Sequence, residues 1–142
     1  MSLKFVLDCS VAAAWFFQDE AALPTDELLD QLIEDGQAVV AAHWALEVGN
    51  TLLMAEQRKR CSVAESGQFL AVLDALPIEA DHDTAARAST STLALARTHN
   101  LTVYDAAYLE LAMRRGLPLA TLDRELRTVA RKIGIECLPK ET

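Results

Sequence analysis

The sequence has little cysteine, and what it has is scattered: Cys9, Cys61 and Cys137 are odd in number, far apart and without a Cys-x-x-Cys pair. Zinc and thiol redox chemistry therefore have no motif, and the three thiols read as buried or idle. No apolar run approaches the roughly 20 residues of a membrane span. The opening segment, MSLKFVLDCS, lacks the long apolar core and small-residue cleavage site of a secretory signal, so the expected location is the cytoplasm. Basic residues are scarce, 13 Lys and Arg against 21 Asp and Glu, giving a net charge of −8. That balance argues against a protein that holds nucleic acid by bulk electrostatics. There is no Gly-x-Ser-x-Gly elbow, no His-Glu-x-x-His motif and no plausible Cys-His pair, so covalent catalysis lacks a nucleophile. Repeats, linkers and low-complexity tracts are also missing.

What is there is an ordinary globular composition. With 142 residues, 51% hydrophobic and 24% charged, one domain spanning 1–142 can close a single core. LKFVL reads as a buried strand, and the helix after it runs from Val11 to Phe17, with Ser10 as its cap and a polar turn at Gln18-Asp19-Glu20. Pro24-Thr25-Asp26-Glu27 opens an amphipathic helix carrying Leu28, Leu29, Leu32 and Ile33, stopped by Gly36. QAVVAA is a second buried strand, and His43 to Arg60 a longer helix. Ser62-x-x-Glu65 is a capping box, and its helix ends before Pro77. IEA is a weak strand, 83–99 a helix broken at His99-Asn100, and Tyr104 to Arg115 a helix closed by Gly116. LPLATL, a short basic helix over 123–132, and IECL complete the chain. Alternating strands and helices predict an α/β fold: a mostly parallel sheet with helices on both faces.

Four acids stand where apolar runs give way to a loop or helix: Asp8 after LKFVL, Glu47 in HWALEVGN, Asp105 after LTVY and Asp123 after LPLATL. Carboxylates at the carboxyl ends of parallel strands collect in the crevice where open sheets bind ligands. Two such charges about 4 Å apart oppose each other by roughly 4 kcal/mol at an effective dielectric near 20, a repulsion that a divalent cation relieves. An oxygen-only set suits Mg2+ or Mn2+ rather than zinc. Taken singly, each acid is explained as well by helix capping or solvation. Glu47 resists that account, because Trp44, Ala45, Leu46, Val48 and Gly49 around it predict a buried stretch. Asp105, among Tyr104, Ala106, Ala107 and Tyr108, poses the same problem.

The chain resembles PIN-domain ribonucleases, and among them the VapC-like toxins of toxin–antitoxin pairs. The resemblance runs through strand-Asp-x-Ser in FVLDCS, Glu-Val-x-Asn in EVGN, Tyr-Asp-Ala-Ala-Tyr in 104–108 and Ala-Thr-x-Asp in LATLD. It implies that Asp8, Glu47, Asp105 and Asp123 bind Mg2+ or Mn2+ as the catalytic acids, with Ser10, Asn50 and Thr121 as polar groups that orient them. It implies hydrolysis of RNA by metal-activated water, leaving 5′-phosphate and 3′-hydroxyl ends. It also implies a cognate antitoxin as partner and a homodimer with a shared groove. The acidic balance does not oppose this, since part of it is the cluster that the cation neutralises.

Other readings stay open on the residues alone. A phospho-acceptor signalling domain shares the parallel sheet and acidic magnesium pocket, but its adjacent acidic pair and late lysine cannot all be placed. A haloacid-dehalogenase-like phosphatase wants Asp-x-Asp where this chain has Asp8-Cys9-Ser10. A PIN fold kept as a non-catalytic interaction module is harder to set aside. His43, four residues before Glu47, is a lesser candidate for a His-carboxylate metal pair, and His82 and His99 read as surface residues. Trp15, Phe16 and Phe17 are core or partner surface. The basic clusters Arg58-Lys59-Arg60, Arg114-Arg115 and Arg124, Arg127, Arg131 and Lys132 are solvated helix ends or the lining of an RNA groove.

Overall fold

A computed structural model describes residues 2–17, 19 and 23–141. Five strands, β1 (Lys4–Leu7), β2 (Gln37–Val40), β3 (Ile78–Ala80), β4 (Leu119–Ala120) and β5 (Cys137–Leu138), form one sheet in the order β3-β2-β1-β4-β5. All four pairings are parallel, with Phe5 beside Ala38, Val39 beside Glu79, Val6 beside Leu119 and Ala120 beside Leu138. A parallel sheet is covered on both faces, which is why its strands read as unbroken apolar runs. Phe5, Val6, Leu7, Val39 and Leu119 are fully buried accordingly.

The helices are α1 (Cys9–Phe16), α2 (Asp26–Glu34), α3 (Trp44–Gln57), α4 (Val63–Ala75), α5 (Thr84–Arg87), α6 (Leu93–His99), α7 (Val103–Arg115) and α8 (Arg124–Lys132). Among the described residues, no helix is long and apolar enough to cross a membrane. The capping box forms as read: Ser62 Oγ accepts from Glu65 N at 3.1 Å, and Glu65 Oε1 accepts from Ser62 N at 2.9 Å. Gly116 closes α7 at φ 65° and Asn100 closes α6 at φ 55°, left-handed positions suited to those two residue types. Trp15 and Phe17 are core, and Phe16 stacks on Phe69 of α4 with ring centroids 4.7 Å apart.

Several expectations change. The cap of α1 is Asp8, not Ser10: Asp8 Oδ1 accepts from Val11 N at 3.3 Å. The Ser10 hydroxyl is committed elsewhere, donating to Asp8 Oδ1 at 2.6 Å and accepting from Leu122 N at 2.8 Å. Of the turn expected after that helix, Gln18 and Glu20 lie outside the described residues. The helix expected over 83–99 is divided by a π turn, Ala88–Thr92, within a Ser/Thr run whose side chains compete for backbone partners; Thr90 Oγ1 donates to Arg87 O at 3.4 Å.

The stretch around Glu47 is not buried. Leu46 is 78% exposed, and Ala45, Gly49 and Asn50 are also exposed. Only Trp44, Val48, Leu52 and Ala55 turn inward, because a helix on a sheet has one covered stripe whatever the composition of its other side.

Candidate active site

The chain moves from β1 through β2 to β3 on one side of the sheet and places β4 and β5 on the other. The crevice between the carboxyl ends of β1 and β4 is therefore the topological switch point, where open α/β sheets take ligands. Asp8 is the first residue past β1, its N–H bonded to Ala120 O at 3.1 Å, and Asp123 lies three residues past β4. The two loops are laced together. Ser10 Oγ touches Asp8, Leu122 N and, at 3.5 Å, Thr121 Oγ1, while Thr121 Oγ1 accepts from Asp123 N at 3.1 Å. Asp123 Oδ1 in turn caps α8 through Leu126 N at 3.0 Å.

Asp8 is buried, and its carboxyl is pushed up to about 6. Burial is the dominant cause, only partly offset by hydrogen bonds from Ser10, Thr121 and Val11. Asp105 sits in the first turn of α7, positioned by Thr102, whose Oγ1 accepts from Asp105 N at 3.1 Å. Its carboxyl is also raised, by burial first and then by the charges of Asp123, Glu47 and Glu125. The repulsion expected of the gathered acids is thus present at Asp105.

Glu47 is held from α7 across 61 residues of sequence. The hydroxyl of Tyr108 donates to Glu47 Oε1, and burial and that same bond keep the phenol protonated far into the alkaline range. His43 Nε2 lies 3.5 Å from Glu47 Oε1 and 3.1 Å from Tyr104 O, with its ring packed against Tyr108 at 4.9 Å between centroids. These two groups were not singled out in the sequence as fixing Glu47. Their signals were present, Tyr108 one turn after Asp105 and His43 one turn before Glu47, but nothing local joins α3 to α7. Asn50, one turn after Glu47, is exposed, and among the described residues no hydrogen bond links it to the acids.

The donor set is three aspartates and one glutamate, hard oxygen ligands that suit Mg2+ or Mn2+, and the charge crowding at Asp105 fits a cation as counter-charge. The carboxylates do not form a closed cage: among the described residues, no three Asp, Glu, His or Cys side chains stand close enough together to grip an ion.

The basic clusters are mostly spoken for. Arg114 is bidentate to Asp81, at 3.1 and 2.7 Å, and pairs with Glu110, at 3.0 Å, at the far end of α7. Arg115 also faces Asp81, at 3.6 Å. Arg60 pairs with Asp19 and covers the Phe17 ring at 4.5 Å. Arg127 is buried and donates to the carbonyls of Thr121, Leu138 and Pro139 at 2.7, 3.0 and 2.7 Å. These residues build the fold rather than a groove wall.

The PIN domain model matches residues 5–132. Ribonuclease VapC3 of Pyrobaculum aerophilum is 32% identical over 124 residues, 87% of this chain and 92% of that protein. A second protein of Pyrobaculum aerophilum, known as a crystal structure, superimposes with a TM-score of 0.68 at 24% identity, covering 97% of this chain and 85% of the other. A toxin–antitoxin complex from Klebsiella pneumoniae contains a chain that superimposes with a TM-score of 0.62 at 16% identity, covering 97% of this chain and 99% of its own length. With its parallel sheet, its acids at the switch point and a matched span of nearly its whole length, the chain belongs to the PIN-domain family and is similar within it to the VapC ribonucleases.

Proposed function

We propose that this protein is a metal-dependent endoribonuclease, the toxin of a toxin–antitoxin pair, that hydrolyses RNA phosphodiester bonds with water. The observation that carries the reading is the crowding of carboxylates at the carboxyl ends of β1 and β4, where Asp105 is raised by Asp123 and Glu47 as well as by burial. Asp8, Glu47, Asp105 and Asp123 would hold Mg2+ or Mn2+. When bound, the cation supplies an activated water and stabilises charge on the leaving oxygen.

The surrounding residues have definable tasks. Ser10 fixes the Asp8 rotamer and ties it to the β4 loop, and Thr121 holds the backbone of Asp123. Tyr108 and His43 hold Glu47, which is otherwise a mobile side chain on an open helix face. Asn50 stands on the same side of α3 as Glu47 and would reach the site only on binding of metal or RNA. The acids serve as ligands, and one of them orients the water.

Cytoplasmic RNA is the substrate, with single-stranded or looped segments best able to enter an open crevice. The antitoxin partner and the homodimer follow from similarity to proteins of toxin–antitoxin assemblies. They are supported on this chain by large apolar side chains left outside on α3 and near α4: Leu46, Leu53, Val63 and Val72 are 78, 49, 74 and 51% exposed.

Incubation of antitoxin-free protein with transfer, ribosomal and messenger RNA in Mn2+ or Mg2+ tests the reading. Discrete fragments are expected, abolished by EDTA and reduced roughly 1,000-fold, equivalent to about 4 kcal/mol of barrier, in Asp105→Asn. Folded, metal-bound protein that cuts none of these RNAs would make the chain a non-catalytic interaction module instead.

A further inference from the structure

Next to Asp123, one face of α8 lines a surface cavity with Leu122, Arg124, Arg127, Thr128, Arg131 and Glu141. We propose that this cavity is a subsite for a phosphate of the RNA strand, filled in the free protein by the carboxylate of Glu141. The proposal rests on the nuclease reading for the identity of the strand, and on the cavity itself for the chemistry.

The cavity is built around an anion. Arg131 Nη2 donates to Glu141 Oε1 at 2.8 Å, and Arg127 Nε lies 3.6 Å from that same oxygen. Arg127 is 3% exposed, its other two nitrogens are bound to carbonyls, and its Nε is buried without a hydrogen-bond partner. A guanidinium fixed in place with one donor left over is preorganised to receive an acceptor oxygen. Arg124, Thr128 and Arg131 follow at i, i+4 and i+7, so they share one helix face. Glu141 behaves as a stand-in ligand: its carboxyl is held below the ordinary range by Arg131, and Arg131 is raised in return.

Two further features point to a nucleic-acid phosphate. Leu122 and Arg124 flank Asp123 in sequence, and Arg127 Nη1 holds the carbonyl of Thr121, so the guanidinium that faces the cavity also anchors the loop carrying the acid. A chain of net charge −8 repels RNA at a distance, which makes a local basic seat beside the acidic crevice the means of holding the strand there. Phosphate carries the charge of the carboxylate it replaces and more acceptor oxygens, so the exchange leaves no guanidinium unpaired.

The test is anisotropy of a fluorescent 12-nucleotide single-stranded RNA in EDTA, where nothing is cleaved, with wild type, Glu141→Gln and the double variant Arg124→Gln/Arg131→Gln. Thermal unfolding verifies that each is folded. Removing the competing charge is expected to tighten binding about 5-fold. The double variant is expected to bind about 10-fold more weakly, with a log–log salt slope shallower by about 1.4, or 0.7 for each lost phosphate contact. Affinities equal to wild type in both variants overturn the subsite, and Glu141→Gln alone decides if the double variant fails to fold. A wild type that ranks as expected here but cuts no RNA with Mn2+ leaves the subsite standing and removes the nuclease reading. Cleavage without that ranking does the reverse.

Discussion

Asp105 holds its charge against its surroundings, half-buried and facing Asp123, Glu47 and Glu125, with only Thr102 in its favour. A residue of this kind makes metal-free stability and function pull in opposite directions. In EDTA, Asp105→Asn is expected to be more stable than wild type by about 1 kcal/mol, in the range of relieved charge repulsion, or roughly 3 °C in Tm. In Mn2+ the order should reverse, because a ligand that binds only the folded state adds about 2.7 kcal/mol at 100 times its Kd, and the variant forfeits most of that. Calorimetry of both proteins in both conditions decides it; a variant less stable than wild type in EDTA would show that the carboxylate is held by favourable contacts rather than by a missing counter-charge.

At the scale of elements, the junction of α2 and β2 has no room. A Cβ added at Gly36 would meet the carbonyl oxygens of Gln31 and Leu3 at 2.9 and 3.0 Å and Leu32 Cα at 3.2 Å, all backbone atoms that cannot rotate away. Gly36 also closes the helix, its N–H bonding Gln31 O at 2.8 Å. Gly36→Ala is expected to cost about 1–3 kcal/mol by urea denaturation, the range for overpacking. Gly49→Ala is the control: it meets nothing within 4 Å inside α3 and should stabilise by up to about 1 kcal/mol. Equal effects at the two positions would sink the steric account. The π turn between α5 and α6 is a second element-scale feature, and Thr92, fully buried there, was invisible in a Ser/Thr run that reads as polar.

At the scale of the whole molecule, a buried ionic network ties the β3 edge to α7. Asp81 is almost inaccessible and receives Arg114 twice and Thr84 Oγ1 at 2.9 Å. The Arg114 guanidinium holds its carboxyl down at about 2, against an ordinary 3.8. A depressed folded pKa means stability that is present above about 4 and lost as pH falls towards 2. The shift corresponds to about 2 kcal/mol at neutral pH. Asp81→Asn should therefore be less stable than wild type by about that amount at pH 7, with the gap closing between pH 4 and 2 in urea titrations. A gap that stays constant with pH would assign the loss to packing instead.

The sequence by itself determined the strands, the order of the elements and the placing of all four acids just past or near strand ends, because these are local properties: buried runs, caps and stop residues declare themselves within a few positions. FVLDCS and LATLD each carried a strand and its acid together. Tertiary structure alone decided which side of each helix is covered, leaving Leu46 outside and Glu110 inside against a composition that suggested neither. It also decided the pairings of Tyr108 with Glu47, Arg114 with Asp81 and Arg127 with the β4 and β5 carbonyls. The first two join residues 61 and 33 positions apart, and Arg127 reaches carbonyls of both strands at once. No helical or strand periodicity reaches such partners; they meet only because the parallel sheet stacks the ends of distant segments against one another.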